Sequence, residues 1–435
     1  MQKKPVDARA GAGDNVAALT PSGPDAGSWS AGSTRDRHGD RDRPTLRTSP
    51  TGAPDCSVPV AKCCAPSDAD WIVRYVAVSK TFDGMKPAVD DLNLAIRRGE
   101  FLTLLGPSGS GKTTSLMMLA GFESFTKGDI LIDGRSMRGV PPYRRNIGMV
   151  FQNYALSPHL TVAENLAFPL LARRTPKAEI GVRVRRALDM VRLAGMGERR
   201  PVQLSGGQQQ RVAVARALIY QPSLVLMDEP LGALDKQLRE QMQLELKHIH
   251  ARLGLTFVYV THDQAEALTI SDRIAVFDQG RIQQLAPPAQ LYEAPESVFV
   301  AQFLGETNCM AGTVAHIAEA TCQVVLEDGA YVRAAPAAGL QRGDRTIVCV
   351  RPEAIELGAV RHDGPNQFRA EVLERIYLGD HLRLRLRVCG GDGFLVKLHR
   401  NSTIPALQVG DVCFVRWQPE DCRALPAAKV ARTAA

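Results

Sequence analysis

The chain has 435 residues, 45% hydrophobic and 23% charged, with 53 Lys plus Arg against 46 Asp plus Glu. That length suits two to three domains, and that composition suits a soluble globular protein with a real core. The net charge of +7 fits a phosphate binder or a surface near membranes and does not argue for nucleic acid; no run approaches the ~18 apolar residues of a membrane helix.

Residues 1–67 are rich in Gly, Pro, Ala, Ser, Thr and Asp, with Trp29 as the only aromatic. So little apolar surface cannot offset chain entropy, and the stretch is expected to be a disordered N-terminal extension. It lacks the apolar core of a signal peptide. The Arg/Asp run from Arg35 to Arg43 nearly cancels its own charge and reads as a solvated tail. Cys56, Cys63 and Cys64 lie in this tail; Cys309, Cys322, Cys349, Cys389, Cys413 and Cys422 lie beyond residue 308. Neither group has metal-ligand spacing, which predicts reduced thiols in a cytosolic protein.

Ordered sequence begins near Trp71. Ile72–Val78 and Leu92–Ile96 read as strands, and Phe101–Leu105 is an apolar strand running into a Gly-rich loop and then a helix over Ser115–Ala120. Pro176–Leu193 reads as a helix with Thr175 as cap and Pro176 in the first turn, within a helical insert over 153–204. Leu224–Met227 and Phe257–Val260 are buried-type strands flanking a helix over Lys236–Leu253. Alternating apolar strands and helices predict an α/β core around a largely parallel sheet, over 68–304. Beyond it, Val324–Leu326, Ile347–Val350, Leu382–Val388 and Val412–Val415 are short strands between Gly, Asp and Pro turns. From His381 to Val388, Leu alternates with Arg, giving one apolar and one charged face. A small all-β domain over 305–435 is expected, a barrel of the oligomer-binding type.

Three motifs carry chemistry. Gly106, Pro107, Ser108, Gly109, Ser110, Gly111, Lys112 and Thr113 match the P-loop pattern between a strand and a helix. Its glycines let backbone N–H groups converge on phosphate oxygens, Lys112 reaches the outer phosphates, and Thr113 ligates Mg²⁺. Second, the strand Leu224–Met227 ends in Asp228 and Glu229. Asp228 suits a Mg²⁺ site and Glu229 suits polarising an attacking water. Third, Leu204, Ser205, Gly206, Gly207 and Gln208 open a helix running through Ala217. A hydroxyl, free N–H groups and the helix dipole make a second anion-binding end. One P-loop site does not need two phosphate cradles, so Ser205 makes sense as a cap on the nucleotide of another copy.

These motifs, followed by Ala233, Leu234, Asp235 and then Thr261, His262, Asp263, resemble the ATP-binding subunit of an ABC transporter over about 71–305. The resemblance implies further roles. Gln152 matches the loop glutamine that senses Mg²⁺ and water, and His262 the switch histidine at the γ-phosphate. Asp235 matches the loop that crosses the dimer, Phe82 the aromatic that stacks on adenine, and Thr114 continues the phosphate-binding turn. Gly305–Asn308 and Val350–Glu353 resemble the C-terminal β domain of import ATPases. Phe82 to Gly84, Glu100 to Pro107, Gln208 to Arg211 and Leu291 to Pro295 are most similar to spermidine/putrescine import subunits.

The resemblance implies ATP and Mg²⁺ as cofactors and a second copy, two integral-membrane permease subunits and, indirectly, a periplasmic solute-binding protein as partners. It implies no nucleic-acid partner and a peripheral place on the cytoplasmic face of the inner membrane. Tyr154–Leu160 matches the surface that receives the permease helix, with Ser157 where the family usually has Phe. Ferric iron or another small solute is the alternative cargo. A soluble ABC ATPase acting on ribosomes or DNA usually has two cassettes or a coiled-coil insert, and a P-loop kinase lacks the Leu204–Gln208 motif.

Overall fold

The computed structural model describes residues 70–427, apart from 83, 85, 362, 363 and 400–406. The expected tail over 1–67, with Cys56, Cys63 and Cys64, lies outside the described residues.

A six-stranded sheet forms the centre of the first half. Its order is Arg281–Ala286, Arg273–Asp278, Phe101–Leu105, Thr256–Thr261, Leu224–Asp228, Ile147–Val150. The last five strands are mutually parallel, and Arg281–Ala286 adds antiparallel at the edge. Phe101–Leu105 and Thr256–Thr261 are buried at every position. That is why they read as unbroken apolar runs rather than alternations. Trp71–Lys80, Val89–Arg97 and Lys127–Ile132 form a separate antiparallel sheet with the short Arg135–Ser136. Val73, Val89, Ile96 and Ile130 of that sheet pack with Leu102, Leu104 and Leu116. Each such buried side chain contributes about 1.5–3 kcal/mol.

The helix after the glycine loop spans Lys112–Ala120, three residues earlier than the apolar pattern shows. Gly111, at φ 99°, makes the turn that starts it. The helical insert holds Val162–Ala172 and Lys177–Met190, packed on Gly206–Leu218 through Val162, Leu166, Leu188 and Val212. The second of these is shorter than the expected Pro176–Leu193. Pro176 is itself the cap, with ψ 136°, and Val191 and Leu193 are buried in the turn that follows. Apolarity there reports burial, not helix.

Helices Pro288–Glu293 and Val298–Phe303 lead to the β domain. The expectation of one barrel is half of what is present. Asn308–Ile317, Cys322–Leu326, Tyr331–Pro336, Cys422–Pro426 and Arg345–Val350 close into a five-stranded barrel. A second sheet of Glu356–Gly358, Val412–Arg416, Gln367–Tyr377, His381–Val388 and Gly391–His399 packs with it around Val324, Val372, Leu384, Val396 and Trp417. The barrel closes with a parallel pair, Ala335 beside Arg423, contributed by segments far apart in the chain.

Candidate active site

The site lies where Phe101–Leu105, Leu224–Asp228 and Thr256–Thr261 end, at the carboxyl edge of the parallel sheet. Open α/β sheets place ligand-binding groups there. The glycine loop follows the first of these strands. A Cβ on Gly106 would stand 2.3 Å from the Phe277 carbonyl oxygen, and one on Gly111 2.5 Å from that of Ala88. Ser108 and Gly109 are exposed, Pro107 and Thr114 half-buried, and Ser110 buried. The loop is thus backbone-lined and pinned from below by Gly280 N–H donating to the Ser110 carbonyl at 3.1 Å.

Lys112 is 5% exposed and donates to the carbonyl oxygens of Gly106 and Pro107, both at 2.8 Å. Burial lowers its pKa, against the pull of Glu229 and Asp228. A buried ammonium whose hydrogen bonds go to neutral carbonyls has no anion in direct contact, which favours one beside it. The Thr113 hydroxyl donates to Asp228 Oδ1 at 3.1 Å. Burial raises the Asp228 pKa, opposed by that hydrogen bond, with Glu229 adding to the rise and Lys112 lowering it. A hydroxyl and a carboxylate side by side are an oxygen donor set that suits a hard divalent cation, whose charge would also favour the ionised Asp228.

Glu229 sits at φ 42°, in the left-handed region that non-glycine residues seldom occupy. Its N–H donates to the Val260 carbonyl at 3.0 Å, which holds the turn. The side chain is held at both oxygens. Gln152 Nε2 donates to Oε2 at 3.4 Å, and His262 Nδ1 lies 3.0 Å from Oε1. Both partners are exposed. A carboxylate fixed in this way, beside Lys112 and Asp228, is placed to accept a proton from water. Phe82 is 57% exposed, with the Lys80 ammonium 4.7 Å above its ring. It is not a core residue and presents an aromatic face.

Ser205, Gly206, Gly207, Gln208 and Asp235 form a second group. Ser205 caps Gly206–Leu218: Gln208 N–H donates to its Oγ at 3.4 Å, and Ser205 N–H donates to Gln208 Oε1 at 3.0 Å. Asp235 caps Lys236–Leu253, accepting from Leu238 N–H at 2.9 Å. Gly207 is where the two helix starts meet, since a Cβ there would lie 3.0 Å from Leu238. The described hydrogen bonds keep each cap within its own helix start and do not reach the glycine loop. Ser205 and Asp235 are exposed.

Two positioning residues were not visible in the sequence. Arg216, one helical face on from the Ser205 cap, donates to the Tyr154 and Ala155 carbonyls at 2.8 Å each, tying the Gln152 loop to that helix. Its place on a singled-out helix was the available signal. Arg145 donates to the Met118 and Leu119 carbonyls, also at 2.8 Å, closing the far end of the Lys112 helix. Nothing in the sequence marks a buried arginine. Within Tyr154–Leu160, Ser157 is exposed and braced by Asn165, whereas Tyr154 is buried and belongs to the core under that surface.

A family model for ABC transporters matches residues 89–232, and one for the TOBE domain matches 348–425. The spermidine/putrescine import ATP-binding protein of Rubrobacter xylanophilus is 49% identical over 352 residues, 80% of this chain and 92% of that protein. The protein of the same name from Thermobifida fusca is 47% identical, covering 80% and 92%. That from Thermotoga maritima is 41% identical, covering 79% and 95%.

Proposed function

The chain belongs to the family of spermidine/putrescine import ATP-binding proteins, the ATPases of ABC importers, and we propose that its ATP hydrolysis energises polyamine uptake. The observation that carries the ATPase reading is the convergence of Lys112, Thr113, Asp228, Glu229, Gln152 and His262 at one sheet edge. The cargo reading is supported by 49% identity across 92% of a relative that bears the polyamine name. We assign the cassette to 68–304, with 153–204 as its helical subdomain, and a regulatory or dimer-contact β domain to 305–435.

In this reading the adenine stacks on Phe82. The phosphates lie against the backbone N–H groups from Gly106 to Thr114, and Lys112 turns from its carbonyl partners to the outer phosphates. Thr113 and Asp228, with Gln152 from the side, would hold Mg²⁺, which supplies charge neutralisation at the phosphate oxygens. Glu229 accepts the proton of the attacking water, oriented by Gln152 and His262. His262 then stands beside the developing γ-phosphate charge.

The exposed Ser205 helix start is left for the nucleotide of a second copy, with Asp235 at the crossing. A two-fold pair would place each nucleotide between Lys112 of one chain and Ser205 of the other. Opening and closing of that pair would move two permease subunits seated over Tyr154–Leu160. The chain would sit on the cytoplasmic face of the inner membrane through them, with a periplasmic solute-binding protein beyond. Among the described residues no helix is long and apolar enough to cross a membrane.

Two tests separate the levels. Lys112→Ala in the purified chain should lower ATP hydrolysis by roughly 10²–10³-fold, mainly through lost phosphate binding. Near-normal turnover would sink the site assignment. Uptake of labelled putrescine, spermidine and Fe³⁺ by a deletion strain addresses cargo. Loss of polyamine uptake alone supports the reading, and loss of Fe³⁺ uptake alone replaces it.

A further inference from the structure

We propose that Cys309 and Cys349 form a reversible dithiol–disulfide site, oxidised by a small disulfide of the glutathione class. The two residues face each other across neighbouring antiparallel barrel strands, in direct register. Their sulfurs are 3.7 Å apart. Closing a bond requires that separation to fall to about 2.05 Å, within reach of side-chain rotation between paired strands.

The two thiols are unequal, as such a site requires. Cys309 is exposed and lines a cavity of ≈ 260 Å³ with Asp328, Cys389 and Phe394. Cys349 is 5% exposed, packed with Ala301 and Leu425. Gln302 Nε2 donates to Cys309 Sγ at 3.5 Å. The hydrogen bond shared with Cys349, then that from Gln302 and the charge of Arg351, hold the Cys309 thiol below its ordinary range against burial. The same bond, together with burial, holds Cys349 up. Cys309, exposed at the cavity, is therefore the attacking thiolate, and the buried Cys349 beside it the resolving thiol.

The exchange balances. Cys309 thiolate attacks one sulfur of the oxidised disulfide; that S–S bond breaks, and one small thiolate leaves and takes a proton. Cys349 loses its proton to solvent and attacks Cys309 Sγ, and the second small thiolate leaves. Two protein thiols are oxidised and one small disulfide becomes two thiols.

Position gives the site a consequence. Ala301 and Gln302 belong to the cassette's last helix, Val298–Phe303, so both thiols lie where the cassette meets the barrel. A Cys309–Cys349 bond would fix Asn308–Ile317 to Arg345–Val350 at that end and restrain the unfolded chain between them.

The test uses the full chain, reduced and then equilibrated with glutathione disulfide, alkylated, digested and mapped by mass spectrometry. A Cys309–Cys349 linked peptide, reversed by dithiothreitol and accompanied by a higher melting temperature, is the expected result. Cys349→Ala should instead trap glutathione on Cys309. The wild-type map requires no variant to fold. Stable glutathione on wild-type Cys309, a Cys309–Cys389 link, or both thiols remaining open to alkylation would overturn the proposal.

Discussion

In the cassette, Lys112 has only neutral oxygens as hydrogen-bond partners, and Glu229 sits at φ 42° between two exposed side chains. In the β domain, the arginines of His381–Val388 each meet a carboxylate. Arg383 pairs with Glu306 at 2.9 Å, Arg385 with Glu374 at 3.1 Å, and Arg387 with Glu371 at 3.0 Å and Asp392 at 2.5 Å. Both regions bring charges together, yet at the cassette's sheet edge Lys112 is held by neutral oxygens and Glu229 by a strained turn, whereas each of these strand arginines meets a carboxylate. A site that must meet phosphate and water keeps that capacity open, at a cost in local stability. A domain whose charges neutralise one another holds shape. The contrast separates chemistry from scaffold.

The largest test removes one oxygen from the unmatched region. Glu229→Gln keeps the shape between Gln152 and His262 but cannot take a proton. Hydrolysis should fall by roughly 10²–10⁴-fold while ATP binding persists, since Lys112 and Asp228 are untouched. In the paired-copy reading the variant accumulates as an ATP-bound dimer, which light scattering with Mg-ATP detects, in the assembled transporter if not in the isolated chain. Fast hydrolysis would place the base elsewhere and dissolve the contrast.

Next comes the seam between the regions. Arg351 donates to the carbonyls of Ala301, Gly305, Glu306 and Tyr292 at 2.8–3.4 Å and stacks 4.2 Å from the Tyr292 ring. Tyr292 in turn donates to Glu353. Arg351→Met keeps the stem and strands those carbonyls, costing about 1–3 kcal/mol. Calorimetry should show the β domain melting earlier, with ATPase activity close to wild type. Equal loss of activity would mean that the scaffold reaches the chemistry.

How much of this was legible follows the same division. Gly106–Thr113, Ser205–Gln208 and Asp228–Glu229 were readable because phosphate, cap and base each demand particular residue types at fixed spacing. The buried runs Phe101–Leu105 and Leu224–Met227 were readable because parallel strands bury both faces. The β domain's strands were visible as alternation, but not their division into a barrel and a second sheet. Closure depends on Ala335 meeting Arg423, a pairing between distant segments that no local pattern encodes. Arg351 appeared only as part of a family resemblance around Val350–Glu353. Its role exists only once four carbonyls, two from the cassette's last helices and two from the segment just past them, converge on it. Gln152 and His262 were named by the resemblance, but their clasp on Glu229, built from three separate loops, was not.

The smallest effect sharpens the scaffold side. Glu306 lies just past the cassette and meets Lys397 at 3.0 Å and Arg383 at 2.9 Å. Burial alone would raise its pKa; the two cations outweigh this and leave it lowered from 4.5. A carboxyl depressed in the folded state contributes stability above its unfolded pKa and loses it as pH falls through the folded one. With the side chain 37% exposed, solvent screening limits the contribution to about 0.5 kcal/mol. Glu306→Gln should therefore melt slightly below wild type near neutrality, and the gap should close as pH falls below 4.5. Raising salt should narrow the gap as well, since the pair is partly in water. A gap that ignores both pH and salt would show that Glu306 acts through shape, and the β domain's charges would then not be the matched set that distinguishes it from the cassette.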